Sequence, residues 1–347
     1  MSTSPHPVEL SNRIIDSGVA EPPHNRVINE LTEIDDDVEV ERDVVLEEIA
    51  MRDDDPEDTL GDVFLSAMFG EHPVGRPVIG SVDSVSAMTR DQLHSFHVRR
   101  YTPDRMVVAV AGNVDHDEVV SLVREHFGPH LVRGRTPVPP RKGAGRVSGR
   151  PSLQLIRRDA EQTHLSLGVR TPGRHWDHRW ALSVLNSALG GGLSSRLFQQ
   201  IREERGLAYS VYSTVDTFAD SGALSIYAGC QPERFDEVVR VTTDVLAEVA
   251  RDGISADECR IAKGSLRGGL VLGLEDSGSR MHRIGRSELN YGTHRSIPDT
   301  LAKIEAVTHE EVNAVARQLL TRQFGAAVLG PVRTKRSLPK PLQTLAD

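Results

Sequence analysis

The sequence contains only two cysteines, Cys230 and Cys259, among 347 residues. Two cysteines are too few for the disulfide framework of a small secreted protein, and no metal-ligand spacing links them. No apolar run approaches the roughly 18 to 20 residues of a membrane-spanning helix. The start, MSTSPHPVEL, has neither the basic nor the apolar region of a secretory signal. We therefore expect a soluble, cytoplasmic protein with no membrane partner.

The chain also lacks an excess of basic residues. Its 41 Lys and Arg residues are outnumbered by 50 Asp and Glu, which gives a formal net charge of −9. Nucleic-acid-binding domains usually show the opposite balance, so we expect no nucleic-acid partner. A length of 347 residues suits two domains that each bury a core. Residues 133–151, rich in proline, glycine and arginine, are the predicted linker between them.

An internal repeat supports two domains. Residues 84–112 return in weaker form at 303–330, with Thr89 corresponding to Thr308 and VVAVAG to AAVLG. Each copy predicts a threonine-capped helix followed by a buried strand that ends in glycine. The copies therefore look like the closing elements of two similar domains. Far fewer residues precede the first copy than precede the second within its own domain, so we expect the front of domain one to be missing or replaced.

The pattern of capping residues and apolar periodicity predicts the order of the elements. The first domain has helices at 38–52, 59–69, 89–100 and 115–127, a strand at 105–112 and an irregular loop at 72–81. The second has strands at 153–158, 164–170 and 222–230 and helices at 177–189, 233–251 and 255–272. An order without regular β-α-β alternation favours an α+β fold with antiparallel-rich sheets. The predicted boundaries are 1–35 flexible, 36–132 partial first domain, 152–335 second domain and 336–347 flexible tail.

Two acidic residues on the first predicted helix are candidates for metal chemistry. Glu41 and Glu48 are seven residues apart, nearly two full turns, so both carboxylates project from the same helix face. One could ligate a cation while the other supports it. The alternative from this pair alone is a solvated acidic face.

A second pair lies in the segment IREERGLAY, after three consecutive glycines. Arg202 and Tyr209 are also seven apart, with Arg202 near a helix end and Tyr209 on the next strand. A guanidinium and a phenol brought together can donate hydrogen bonds to a peptide carbonyl or a developing oxyanion. The alternative is a helix salt bridge beside a half-buried tyrosine. GGGLSS lacks the lysine and the spacing of a phosphate-binding loop.

The histidine pairs do not carry a hydrolytic zinc motif. His94 and His97, like His175 and His178, are spaced i, i+3. Neither pair contains the glutamate that an HExxH or HxxEH helix uses as general base. We therefore expect surface histidines here. HxxEH occurs nowhere in the sequence.

Taken together, the motifs resemble the M16 family of zinc metallopeptidases (pitrilysin, insulinase and mitochondrial processing peptidase), in its bacterial processing-peptidase-like branch. The resemblance covers about residues 36–335 and rests on four stretches: VEVERDVVLEEIAMRDDDPED at 38–58, HPVGRPVIGS at 72–81, RYTPDRMVVAVAGNVDHDEVVSLVREHFG at 100–128 and GGGLSSRLFQQIREERGLAYSVYS at 190–213. It implies two α+β domains that pair as halves of a clamshell around a peptide chamber, the first of them incomplete here.

The resemblance also implies roles for the paired residues. Glu48 matches the third zinc ligand of the family and Glu41 its supporting carboxylate. Arg202 and Tyr209 match the pair that holds the substrate backbone and the carbonyl under attack. In the family, an HxxEH helix supplies the other two ligands and the glutamate that activates water. This chain departs from the family there, and one glutamate cannot hold catalytic zinc alone.

Three interpretations follow from this departure. The first is an M16-type zinc metalloendopeptidase that cleaves peptides or unfolded polypeptides and is impaired in this chain. The second is a non-catalytic partner subunit that binds peptide and completes the chamber of an active homologue, as a homodimer or as a heterodimer with an HxxEH-bearing chain. The third is a poorly folding fragment that exposes apolar sheet surface.

Overall fold

The structure is a computed structural model that describes residues 35–130 and 147–345. The chain forms two compact units, and each unit is made of three separate stretches of the sequence. The described residues of unit 1 are 35–48, 81–130 and 274–294, and those of unit 2 are 49–80, 147–273 and 295–345. Each unit thus includes a segment from the other half of the chain. The linker predicted at 133–151 lies mostly outside the described residues, as does the segment 1–34.

The four helices predicted in the first half of the chain are confirmed, and a short helix that was not predicted, Val82–Ser86, lies between the second and third of them. In chain order the bounds are α1 Asp35–Asp54, α2 Pro56–Phe69, α3 Val82–Ser86, α4 Arg90–Arg100 and α5 His116–His126. Asp55 separates α1 from α2 because its carboxylate accepts hydrogen bonds from the amides of Glu57 and Asp58, while Pro56 suits the first helical position. The loop predicted at 72–81 contains a short 3₁₀ turn, Pro73–Gly75.

The strand predicted at 105–112 is wrong. Residues Pro103–Arg105 form a 3₁₀ turn, and residues 106–112 belong to no strand. The apolar run VVAVA has strand composition, but a strand also needs a neighbour to hydrogen-bond with its backbone. Within the described part of unit 1 there is no strand to serve as that neighbour.

Unit 2 is built on one mixed five-stranded sheet. The strands are β1 Leu153–Arg157, β2 Thr163–Pro172, β3 Ala208–Thr217, β4 Ser221–Cys230 and β5 Phe324–Gly330. Their order across the sheet is β1-β5-β2-β4-β3. Only the β1–β5 ladder is parallel, and the other three ladders are antiparallel. The predicted α+β class with antiparallel-rich pairing is confirmed.

Helices cover both faces of this sheet. The remaining helices are α6 Arg179–Leu189, α7 Phe235–Asp252, α8 Ala256–Gly273, α9 Ser277–Tyr291, α10 Ile297–Ala306, α11 His309–Leu320 and α12 Lys340–Gln343. One face packs against α6, α7, α8 and α11 in the large buried cluster. The other face packs against α2 through Leu60, Phe64 and Met68. All ten residues of β4 are buried, as expected for a strand covered on both faces.

Polar contacts also join α2 to the sheet. The Tyr212 hydroxyl on β3 donates a hydrogen bond to the Glu57 carboxylate. Burial and this carboxylate raise the pKa of Tyr212, which keeps the phenol protonated as a donor. On β2, Arg170 Nε donates to the Met68 carbonyl. Helix α2 is therefore an integral part of unit 2.

The repeat is confirmed at its helix starts. Thr89 and Thr308 each accept a hydrogen bond from the third helical amide, and Gln92 and Glu311 each bond back to the cap amide. These are two capping boxes at equivalent positions. The predicted tail at 336–347 contains α12, whose Leu342 is fully buried.

Candidate functional site

The glycine-rich segment after α6 lies against the edge strand β3. The Ser213 amide donates a hydrogen bond to the Gly190 carbonyl at 3.0 Å, and the Ser213 hydroxyl donates to the Asn186 carbonyl at 3.2 Å. A Cβ atom on Gly190 would lie 2.5 Å from the Ser213 amide nitrogen. Glycine is therefore required for this approach, which fixes the segment that leads to Arg202.

Replacing Gly190 with alanine should destabilise unit 2 by about 1–3 kcal/mol, because the added Cβ forces the segment away from β3. Gly192→Ala is the matched control, since a Cβ there meets nothing within 4 Å. Urea denaturation of both variants checks the prediction. Equal stability of the two variants would show that the approach at Gly190 is not restrictive.

The predicted pair Arg202 and Tyr209 is brought together. Arg202 lies in a short π-helix, Phe198–Glu203, and Tyr209 lies near the start of β3. The β3–β4 register shifts between Ala208 and Ser210, so Tyr209 occupies a β-bulge. A bulge re-aims a side chain relative to the regular pleat. Tyr209 is 76% exposed.

The guanidinium of Arg202 is held on this tyrosine. Its Nη1 donates a hydrogen bond to the Tyr209 carbonyl at 2.8 Å, and its Cζ lies 4.5 Å from the Tyr209 ring centroid. The hydrogen bond uses one of the five N–H donors of the group. The geometry thus orients a cation beside an exposed phenol. This arrangement differs from the alternative of a salt bridge beside a half-buried tyrosine.

Phe198 is a third member of this site that the sequence analysis missed. The Cζ atom of Arg202 lies 5.0 Å from the Phe198 ring centroid, so the guanidinium contacts two aromatic rings. Such contacts restrict the rotamers of arginine and hold its cation at the ring face. The i, i+4 spacing of Phe198 and Arg202 was the available signal, because residues four apart share a helix face.

Arg196, which follows the three glycines, attaches the glycine-rich segment to α7 and α8. Its Nε and Nη2 donate to the two carboxylate oxygens of Glu258 at 2.8 and 2.6 Å, and its Nη1 donates to Glu248 at 3.1 Å. Burial alone would raise the pKa of Glu258, but the hydrogen bonds from Arg196 and from Ser255 outweigh it and lower that pKa. A bidentate pair of this kind adds directional restraint.

Glu41 and Glu48 both lie on α1, in unit 1, and both side chains are exposed. The same-face placement expected from their spacing agrees with a continuous helix from Asp35 to Asp54. Their metal roles stay predictions. The two acidic residues and the Arg202–Tyr209 pair belong to different compact units.

The described residues do not fit a complete metal site. Across 35–130 and 147–345, no group of three or more His, Cys, Asp or Glu side chains could hold a metal ion. Catalytic zinc requires about three protein ligands. Glu48 would offer one carboxylate, so no hydrolytic step is assigned to these residues.

In the described part of the chain no helix is long and apolar enough to cross a membrane.

Comparisons with known proteins identify the family and several relatives of this chain. The family described as "Peptidase M16 inactive domain" matches residues 87–266. An uncharacterized zinc protease of Mycobacterium tuberculosis is 76% identical over 310 residues, which cover 89% of this chain and 71% of the relative. An uncharacterized zinc protease of Bacillus subtilis is 35% identical, with coverage of 86% and 71%. The resemblance drawn from the motifs is confirmed.

Solved structures share the fold. The peptidase M16 inactive domain from Pseudomonas fluorescens has a TM-score of 0.77 at 22% identity, with 90% of this chain and 73% of that chain covered. A protease from Helicobacter pylori has a TM-score of 0.79 at 21% identity, with coverage of 88% and 77%. At this level of identity the likeness concerns the fold alone.

Proposed function

The chain belongs to the peptidase M16 family, and from this membership we propose that it is a peptide-binding component of an M16-type zinc metalloendopeptidase, impaired in hydrolysis by itself. Its ligands are peptides or unfolded polypeptides in extended form. The relatives named zinc proteases support the metallopeptidase lineage. Zinc is the cofactor implied for a complete site, with Glu48 as the ligand from this chain and Glu41 as its support.

One observation carries the peptide-binding part of this proposal. Arg202 is held between Phe198 and the exposed Tyr209, with N–H donors beyond the one that binds the Tyr209 carbonyl. Guanidinium and phenol groups together suit a backbone carbonyl, because both donate hydrogen bonds to oxygen. Backbone carbonyls occur in every peptide, so such a pair recognises an extended chain without a required side chain.

The proposed impairment of hydrolysis follows from the zinc ligands that are missing. The sequence contains no HxxEH, and the described residues contain no three-ligand group. Without these groups nothing in the described chain fixes zinc or activates water. Glu41 and Glu48 alone therefore make at most a partial site.

A second candidate function is a non-catalytic partner subunit. The same missing motif favours it, since a chain that binds peptide without hydrolysing it can complete the chamber of an HxxEH-bearing homologue. The partner would be a homologous chain in a heterodimer, whereas a homodimer would lack the motif in both copies.

Both functions are tested by measuring binding and cleavage on one peptide. We expect the purified chain to bind an unstructured fluorescent peptide, seen as a rise in anisotropy, and to leave it uncleaved by mass spectrometry with added zinc. Addition of an HxxEH-bearing M16 homologue should restore cleavage if the chain is a partner subunit. Chelator-sensitive cleavage by the chain alone would overturn the impairment. Absence of peptide binding would overturn the proposed function.

A further inference from the structure

Four polar side chains link the start of α2 to the sheet that this helix covers. His164 on β2 and Tyr227 on β4 are buried, with exposed fractions of 9% and 8%, and the His164 Nδ1 atom lies 2.8 Å from the Tyr227 hydroxyl. The Tyr227 ring stacks on the ring of Tyr212 at a centroid separation of 5.0 Å. Tyr212 in turn donates to the Glu57 carboxylate, in the first turn of α2. We call these four residues the polar cluster.

The protonation of His164 decides the direction of its hydrogen bond. A neutral imidazole has one donor and one acceptor nitrogen, whereas an imidazolium donates from both. The Glu57 carboxylate already accepts from Tyr212, so we assign the Tyr227 hydroxyl hydrogen to the bond with a neutral His164 and the ring proton to Nε2. Once His164 is protonated, Nδ1 becomes a donor. The Tyr227 hydroxyl then has to accept, and its own hydrogen turns away from His164.

The charged groups that face His164 come from α2 and from the end of β1. Burial is the largest influence and lowers the pKa of His164 below its ordinary value of 6.5. Arg158, which follows β1, acts in the same direction, whereas Glu57 and Asp55 at the start of α2 raise this pKa. Among the side-chain types that meet here, only imidazole ordinarily changes charge between pH 5 and 8. Protonation of His164 is therefore the titration to follow in this range.

We propose that the polar cluster is a proton-dependent switch, which holds the N-terminal half of α2 on the sheet while His164 is neutral and loosens that half when His164 takes up a proton. Lifting α2 returns the imidazole to water, where its charged form no longer carries the cost of burial. The closed form thus binds the proton more weakly than the open form, and acid shifts the equilibrium toward the open form. This inference does not depend on peptide binding by Arg202.

The sign of the pH dependence follows from the lowered pKa. The hold of the cluster on α2 is fully present above pH 6.5, the ordinary value for His164. It declines as the pH falls from there through the lowered pKa of the closed form, and it stays constant at lower pH because both forms are then protonated. The response is centred on α2, since α7 covers the opposite face of the sheet.

Hydrogen exchange followed by mass spectrometry on the full chain, at pH 7 and at pH 5, tests the switch. After correction for the intrinsic pH dependence of exchange, the amides of residues 60–68 should open at least about threefold more often at pH 5, because each unit of pKa difference is a tenfold change in the equilibrium. The amides of α7 should show no such increase. An unchanged α2, or an equal increase in α7, would overturn the proposal.

Two variants make the result specific to His164. His164→Asn keeps an acceptor oxygen near the position of Nδ1 but does not titrate, so α2 should lose its pH response. His72→Asn is the matched control, because His72 caps the turn after α2 through its Nδ1 atom and asparagine is a preferred capping residue. This control should keep the pH response. The reverse pattern, with the response kept in His164→Asn or lost in His72→Asn, would contradict the switch.

NMR titration of the unmodified chain with ¹⁵N-labelled histidine gives a readout that does not require the His164 variant to fold. His164 should titrate below pH 6.5, with the proton of the neutral ring on Nε2. Glu57→Gln should lower this pKa further, because the Glu57 charge favours the imidazolium. A His164 pKa at or above 6.5, a neutral ring protonated on Nδ1, or no response to Glu57→Gln would each overturn the proposal.

Discussion

Replacing Arg202 with alanine is expected to weaken binding of an unstructured peptide about 10- to 100-fold, which is the effect of losing hydrogen bonds from a charged donor. The guanidinium is already oriented by Tyr209 and Phe198, so little rotamer entropy is lost on binding and its removal costs affinity directly. Fluorescence anisotropy with a labelled peptide measures the change.

Two variants test whether the pair acts as proposed. Arg205→Ala removes the same charge three residues away, where Arg205 bonds to Glu204 and the Gln200 carbonyl, and should leave affinity nearly unchanged. Tyr209→Phe keeps the ring beneath the guanidinium but removes the hydroxyl donor, so it should show an intermediate loss. Equal losses of peptide affinity for Arg202→Ala and Arg205→Ala would mean that peptides are bound by general charge attraction and not by a specific site at Arg202.

Replacing Arg196 with methionine is expected to lower the free energy of unfolding of unit 2 by about 2–3 kcal/mol. Methionine keeps an apolar stem but leaves the carboxylates of Glu258 and Glu248 without their partner, and breaking a buried pair costs more than the pair itself contributes. The expected loss of stability is smaller than for a fully buried ion pair because Glu258 is partly exposed. Urea denaturation at neutral pH measures it.

The pH dependence of this difference has a definite sign. The pKa of Glu258 in the folded protein is lowered below its ordinary value of 4.5, so its contribution is fully present above that value. It is lost as the pH falls through the lower, folded pKa, because the carboxylate is then protonated in both states. The gap in stability between the unmodified chain and Arg196→Met should therefore be largest near neutral pH and narrow as the pH falls toward the lowered pKa of Glu258.

An exposed ion pair gives the control for Arg196. Arg240 contacts Glu237 and Asp244 on the surface of α7, where such pairs contribute about 0–1 kcal/mol. Arg240→Met should therefore change stability little. If Arg196→Met lowered the free energy of unfolding as little as Arg240→Met does, the glycine-rich segment would not depend on the contacts of Arg196 with Glu248 and Glu258.

Local sequence signals predicted much of this structure. The capping boxes at Thr89 and Thr308 fix where two helices start, because their hydrogen bonds lie within four residues. The seven-residue spacing of Arg202 and Tyr209 was informative because a short helix, a turn and a strand start follow one another there. The bulge at Tyr209 and the contact of Arg202 with Phe198 are features of this pair that the local patterns did not predict.

Long-range pairing could not be predicted from local patterns. The apolar run at 106–111 has strand composition, yet a strand forms only where another strand pairs with it, and sequence composition does not report its neighbours. Helix α2 is rich in apolar residues, but its burial against the sheet of unit 2 depends on residues more than a hundred positions away. The Arg196–Glu258 pair likewise spans 62 positions.

The most direct test of the account is the zinc content of the purified full chain after loosely bound metal has been removed. The account holds that this chain binds peptide without a complete catalytic site of its own, so elemental analysis should find zinc far below one atom per chain. About one zinc per chain, retained against the wash and lost on substitution of Glu48 by glutamine, would contradict it. That result would mean that Glu48 has a full set of partner ligands within the chain.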